Sequence, residues 1–186
     1  MSKTQAATYV PAGLALAVLL LGAHPAGADC SIAIPNVGGA AVIARPTAPV
    51  GQSFVACADG LITHIALYVG ISTQASVRLG LEAGTDLLAP AFTQLGTIPT
   101  GATRILFHPG FPVTGGMLYS LSLAPISGVL YMGQIEGTTY PDGSLITVEG
   151  DVSVLQSTDL PFSVAISDAP VPARIATWGE VKFIYR

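Results

Sequence analysis

Side chains alternate with a period of two through much of Gly51–Gly84, GQSFVACADGLITHIALYVGISTQASVRLGLEAG. That period is what a half-buried β-strand requires. Val77, Leu79 and Leu81 fall on one side, Arg78, Gly80 and Glu82 on the other. In the preceding run, Leu61, Ile65, Leu67 and Val69 are assigned to one face and Ile62, His64, Ala66 and Tyr68 to the opposite one. The polar residues between the two runs suit a surface connection. Two antiparallel strands facing a shared core are expected.

The rest of the chain repeats this grammar. Short first strands over Cys30–Ile43 lead into the stiff Arg45-Pro-Thr-Ala-Pro connection, whose prolines belong outside a central strand. Asp59-Gly60 is a turn signal of the hairpin type. Ala83–Gly96 is looser, interrupted by Pro90, and Arg104–His108 is a strand ended by Pro109-Gly110. From Met117 on, Met117, Tyr119, Leu121 and Leu123 are expected inside, with Ser120 and Ser122 outside. Val129–Glu136, Leu145–Val148 and Leu160–Ser167 complete a set of eight or more short strands. Such a set argues for an all-β protein, an antiparallel β-sandwich, rather than for βαβ units.

Beyond the strands, both ends change character. Residues 1–28 read as a secretory signal peptide, expected as a signal helix: a weakly positive start, the apolar run Ala12–Ala23, and Ala26-Gly27-Ala28 as a small-x-small cleavage site. The apolar run is shorter than the roughly 20 residues that span a bilayer, so no stable membrane span is expected after cleavage. Residues 29–167 form the sandwich domain, and 168–173 (Asp-Ala-Pro-Val-Pro-Ala) a Pro-rich linker. Residues 174–186 are expected as an amphipathic helical tail with a capping box at Thr177-Trp-Gly-Glu180. In that tail Trp178, Lys182, Tyr185 and Arg186 are candidates for docking or sorting.

Charge and cysteines narrow the partners and the compartment. Removing Lys3 with the leader leaves 7 − 1 = 6 basic against 11 acidic residues. That acidic balance argues against nucleic acid, whose phosphates need clustered Lys and Arg. An exported chain with two cysteines is expected to join them, so Cys30 and Cys57 are assigned to a disulfide. Localisation is therefore expected to be secreted, extracellular or at the cell surface.

No catalytic set is apparent. His64 and His108 are the only histidines after the leader, and the Gly-x-Ser-x-Gly elbow of a hydrolase is absent. No spacing suits a transition metal. Asp142, Glu149 and Asp151 are candidate calcium ligands by virtue of their oxygen atoms; otherwise no cofactor is expected. Tyr68, Tyr131 and Tyr140, with Gln134, Glu136 and Asp142 nearby in sequence, are candidates for a sugar-binding surface. The competing reading has the tyrosine rings covering sheet edges.

The succession GQSF, ITHIALYVG, VRLGLEAG, V..G.LYSLSL, YPDGSL and DLPFSVAI resembles a jelly-roll β-sandwich module of secreted bacterial proteins. The resemblance covers about residues 50–167. It implies an accessory or cell-surface domain associated with carbohydrate-active and adhesive proteins, and it transfers no activity to particular residues. Tyr131-Met132 stands where such modules often carry tryptophan, which weakens a sugar-stacking site there. The expected function is a secreted, non-enzymatic binding or adhesion module, with a glycan or cell-surface polymer as partner. The alternative is a structural subunit of an extracellular assembly that meets another protein through the C-terminal tail.

Overall fold

The computed structural model describes residues 29–35, 40–70, 74–135 and 140–168. The expected signal peptide, residues 169–173 of the expected linker, the expected tail with Trp178, Lys182, Tyr185 and Arg186, and Glu136 lie outside the described residues. Within them the chain forms thirteen strands and no helix. These are β1 (Cys30–Ile34), β2 (Ala41–Ala44), β3 (Val50–Val55), β4 (Gly60–Gly70), β5 (Ala75–Ala83), β6 (Phe92–Ile98) and β7 (Arg104–Phe107). There follow β8 (Phe111–Val113), β9 (Leu118–Pro125), β10 (Leu130–Gly133), β11 (Leu145–Glu149), β12 (Val152–Leu155) and β13 (Phe162–Ser167).

Two antiparallel sheets make a β-sandwich. One runs β1-β13-β4-β10-β2, with β7 and β8 also paired to β4; the other runs β12-β11-β3-β9-β5-β6. Leu61–Leu67 of β4 pairs with β13, while overlapping parts of the same strand pair with β8 and β7. β10 takes the far end of β4, at Val69 and Gly70, so four strands share β4 by pairing with different stretches of it. Ile65, Leu67, Phe162 and Val164 from this sheet meet Val77, Leu79, Leu81, Leu121 and Leu123 from its partner in one buried core.

The two alternating runs within Gly51–Gly84 do not form a ladder. β4 and β5 belong to different sheets and face each other across the core. Asp59-Gly60 likewise closes no hairpin, because β3 and β4 are also in different sheets; Asp59 instead accepts a hydrogen bond from the Gly115 amide at 2.8 Å. Local alternation specifies which face of a strand is apolar. Which sheet a strand joins is decided by distant partners.

The inward phase of β4 also shifts. Its ladder with β13 pairs His64 with Ala165 and Ile62 with Ile166, so Thr63 is an extra residue, a β-bulge. Ile62 is therefore fully buried and Leu61 is not. Alternation alone carried Leu61 inward because it counts no inserted residue. On β9 the inward row begins at Tyr119 rather than Met117, which is 54% exposed in the turn before the strand. Ser120 and Ser122, expected outside, are buried as well.

Three of the motifs quoted above meet in a single knot. Gln52 points inward, donates to Asp159 Oδ1 at 2.8 Å and accepts from the Leu160 amide at 2.8 Å. The second carboxylate oxygen of Asp159 accepts from the Tyr140 amide at 3.1 Å. The Tyr140 hydroxyl accepts from the Val55 amide at 3.2 Å, and its ring stands edge-on to Phe162. Ser53 and Ser144 exchange hydrogen bonds beside it. A buried Gln and Asp left without partners would each cost about 1–3 kcal/mol, so GQSF, YPDGSL and DLPF are mutually dependent parts of the fold.

Cys30 and Cys57 form a disulfide, Cα–Cα 6.2 Å, tying edge strand β1 to the crossover between β3 and β4. A loop of 27 residues closed this way restricts the unfolded chain by about 3–4 kcal/mol in the chain-entropy model. The bond fits an oxidising compartment outside the cytoplasm.

Candidate ligand-binding groove

Of the stretch Ala83–Gly96, expected to be loose and interrupted by Pro90, the part from Phe92 onward belongs to strand β6, and only the part before it is irregular. That part is a strap, residues 84–91, folded back over the outer face of the six-stranded sheet. Leu87 is buried there because Gly51, with no side chain, lets it approach the sheet. The Leu87 amide donates to Ser153 Oγ at 3.0 Å, and the Ala91 amide donates to a Glu82 carboxylate oxygen at 2.6 Å. Pro90 lies over Gly80, where a β-carbon would stand 2.5 Å from Ser122 Oγ and 3.1 Å from the proline ring. Glycine at both positions is a requirement of close approach.

A second wall rises opposite. Arg45 and Ala48 exchange backbone hydrogen bonds at 2.9 and 3.2 Å, closing a tight turn that carries Pro46 and Thr47, with Pro49 following. Between strap and turn lies a groove of about 520 Å³. Its floor comes from residues on one face of neighbouring strands: Arg78 opposite Ala124, and Thr93, Gly80 and Ser122 in one cross-strand row. Pro46, Pro49, Leu88 and Pro90 line the sides. Proline walls have few conformations to lose when a ligand enters, so the groove is largely preorganised.

Its chemistry is mixed. The prolines and Leu88 offer apolar surface, and Thr47, Thr93 and Ser122 offer hydroxyls that donate or accept. Arg78 supplies a permanently charged guanidinium fork. Arg45, Arg78 and Arg104 are the only Lys or Arg among the described residues, in a chain with an acidic excess. Arg78 has no carboxylate partner among the described residues.

The candidate residues named from sequence are divided by the fold. Tyr68 and Tyr131 share the outer face of the seven-stranded sheet: Tyr131 stands opposite Gly70, two positions along β4 from Tyr68, and is 47% exposed. Ile43 and Leu106 are exposed on the same face. Gln134 points elsewhere, donating to Thr158 Oγ1 at 3.0 Å. Tyr140 is part of the buried knot, and burial pushes its hydroxyl's pKa above the usual 10.0, with the charges of Asp142 and Asp159 adding and the Val55 hydrogen bond opposing. Asp142 lies exposed in the turn before β11.

Glu149 and Asp151 flank Gly150 at the far end of β11, so an extended strand separates them from Asp142. Among the described residues no group of three or more His, Cys, Asp or Glu side chains is arranged to hold a metal ion.

None of the groove residues was singled out as a binding residue by the sequence. The legible signals were Leu87-Leu88 in a loop, an apolar pair that must cover something, and the prolines at 46, 49 and 90. Comparison of the chain with protein-family models and with curated proteins finds no match.

Proposed function

We propose that the chain is an exported, non-catalytic, jelly-roll-like sandwich that binds an acidic extracellular glycan or cell-surface polymer in the outer-face groove. The observation that carries this reading is Arg78, unpaired among the described residues, on the floor of a rigid apolar-walled groove. A uronate-type carboxylate matches the guanidinium fork, sugar hydroxyls match Thr47, Thr93 and Ser122, and sugar C–H faces match the prolines. The disulfide supports an oxidising location.

A charge-assisted hydrogen bond contributes about 1.5–3 kcal/mol, so Arg78→Ala is expected to weaken binding roughly ten- to hundredfold, and Arg78→Glu more. Affinity electrophoresis in polyuronate and in neutral polysaccharide gels, alongside pull-down on cell envelopes, tests this. Retardation only by the acidic polymer, lost in R78E at unchanged melting temperature, is the expected result. Equal retention of R78E, or no retention by any polymer, contradicts the proposal.

A structural-subunit role has separate support in edge strand β6, which carries no charge and no proline and leaves Leu95 71% exposed. That reading expects concentration-dependent oligomers, abolished by Leu95→Lys, in sedimentation. The tail proposed as the docking or sorting element lies outside the described residues.

A further inference from the structure

We propose that His64 and His108 form a two-imidazole site for a divalent first-row transition-metal ion, on the outer face of the seven-stranded sheet and independent of the groove. The histidines are far apart in sequence, and the fold brings their rings to 5.3 Å between centres with planes at 59°. Two imidazoles bound to one tetrahedral ion at about 2.0–2.1 Å per bond place their ring centres roughly 5 Å apart. The same separation also suits a tilted ring contact, which metal-dependent measurements separate from chelation.

The β4–β7 register produces this meeting: Ile65 pairs with Phe107, so the next residues along, His64 and His108, stand opposite each other. Pro109-Gly110 breaks the edge between β7 and β8 beside them. His108 Nδ1 lies 3.0 Å from the Thr63 carbonyl oxygen, at the bulge residue itself. A carbonyl only accepts, so Nδ1 carries the hydrogen and the neutral ring is left with its lone pair on Nε2. An imidazole oriented by a backbone carbonyl in this way is the usual outer-sphere arrangement of a metal-binding histidine. His64 has no hydrogen-bond partner among the described residues, leaving its ring free to coordinate.

Water or a partner's side chain would complete the coordination, since no third protein ligand stands nearby among the described residues. Among available ions copper(II) is expected to bind most tightly, then nickel(II) and zinc(II) close behind.

The test titrates the full exported chain with copper(II) and zinc(II) by calorimetry, with electron paramagnetic resonance of the copper form, for wild type, His64→Gln and His108→Gln. Wild type is expected to bind one ion with a two-nitrogen signature. Each variant should lose at least about tenfold in affinity, the lower end of what losing even an outer-sphere partner costs, while its metal-free melting temperature is unchanged. Wild-type binding no tighter than that of both variants, or a signature that persists in them, overturns the proposal and leaves a ring contact or binding at the chain terminus. A loss in only one variant also overturns it.

Discussion

Tyr140 shows how a residue that reads as a ligand contact becomes part of the framework. It was one of three tyrosines put forward for a sugar-binding surface, against the competing reading of rings that cover sheet edges. Its hydroxyl meets Val55 and its ring meets Phe162, partners 85 and 22 positions away. Removing the hydroxyl in Tyr140→Phe is expected to cost about 1 kcal/mol, the usual net worth of one hydrogen bond. The pH dependence has a definite sign. Because the folded pKa is raised above 10.0, the native state holds this proton longer than the unfolded chain does. The contribution is complete below pH 10 and is lost as the pH climbs through the raised value. Urea unfolding at pH 8 and pH 10.5 should therefore show wild type losing more stability than Y140F across that interval. Gln52 teaches the same lesson: a polar residue at the head of a strand gave no sign in sequence that its partner is Asp159, 107 residues on.

At the level of elements, alternation was informative wherever a strand is regular. Val77, Leu79 and Leu81 are buried as their period requires, as are Leu121 and Leu123. It failed where regularity does, at the Thr63 bulge, since an inserted residue leaves no mark on composition. It was also silent on the outer face of the six-stranded sheet, where the strap converts exposed positions such as Ser122 into buried ones. The strap depends on Leu87, 4% exposed and seated on Gly51. Leu87→Ala is expected to destabilise by about 2 kcal/mol or more, and to open 84–91 to protease before the rest of the domain. Leu88→Ala, at an exposed neighbour, should change stability by no more than about 0.5 kcal/mol. Thermal melts with limited proteolysis mapped by mass spectrometry check both.

Across the whole molecule, the all-β class and the disulfide were legible, because each rests on local pattern or on a simple count. The pairing scheme was not, because β4 and β5 are neighbours in sequence yet sit in opposite sheets. The groove was hidden for the same reason: its floor comes from β5, β6 and β9 and its walls from two loops, and no short window contains them. The histidine pair likewise depends on the β4–β7 register, which sets His64 opposite His108 and which only the folded sheet establishes. With Tyr68 and Tyr131 on one outer face and Arg78 on the other, the sandwich offers two surfaces of different chemistry. Amide chemical-shift mapping during titration with an oligouronate separates them directly. The account predicts shifts centred on Thr47, Arg78, Gly80, Thr93 and Ser122. Shifts centred on Tyr68 and Tyr131, or none at saturating ligand, would contradict it.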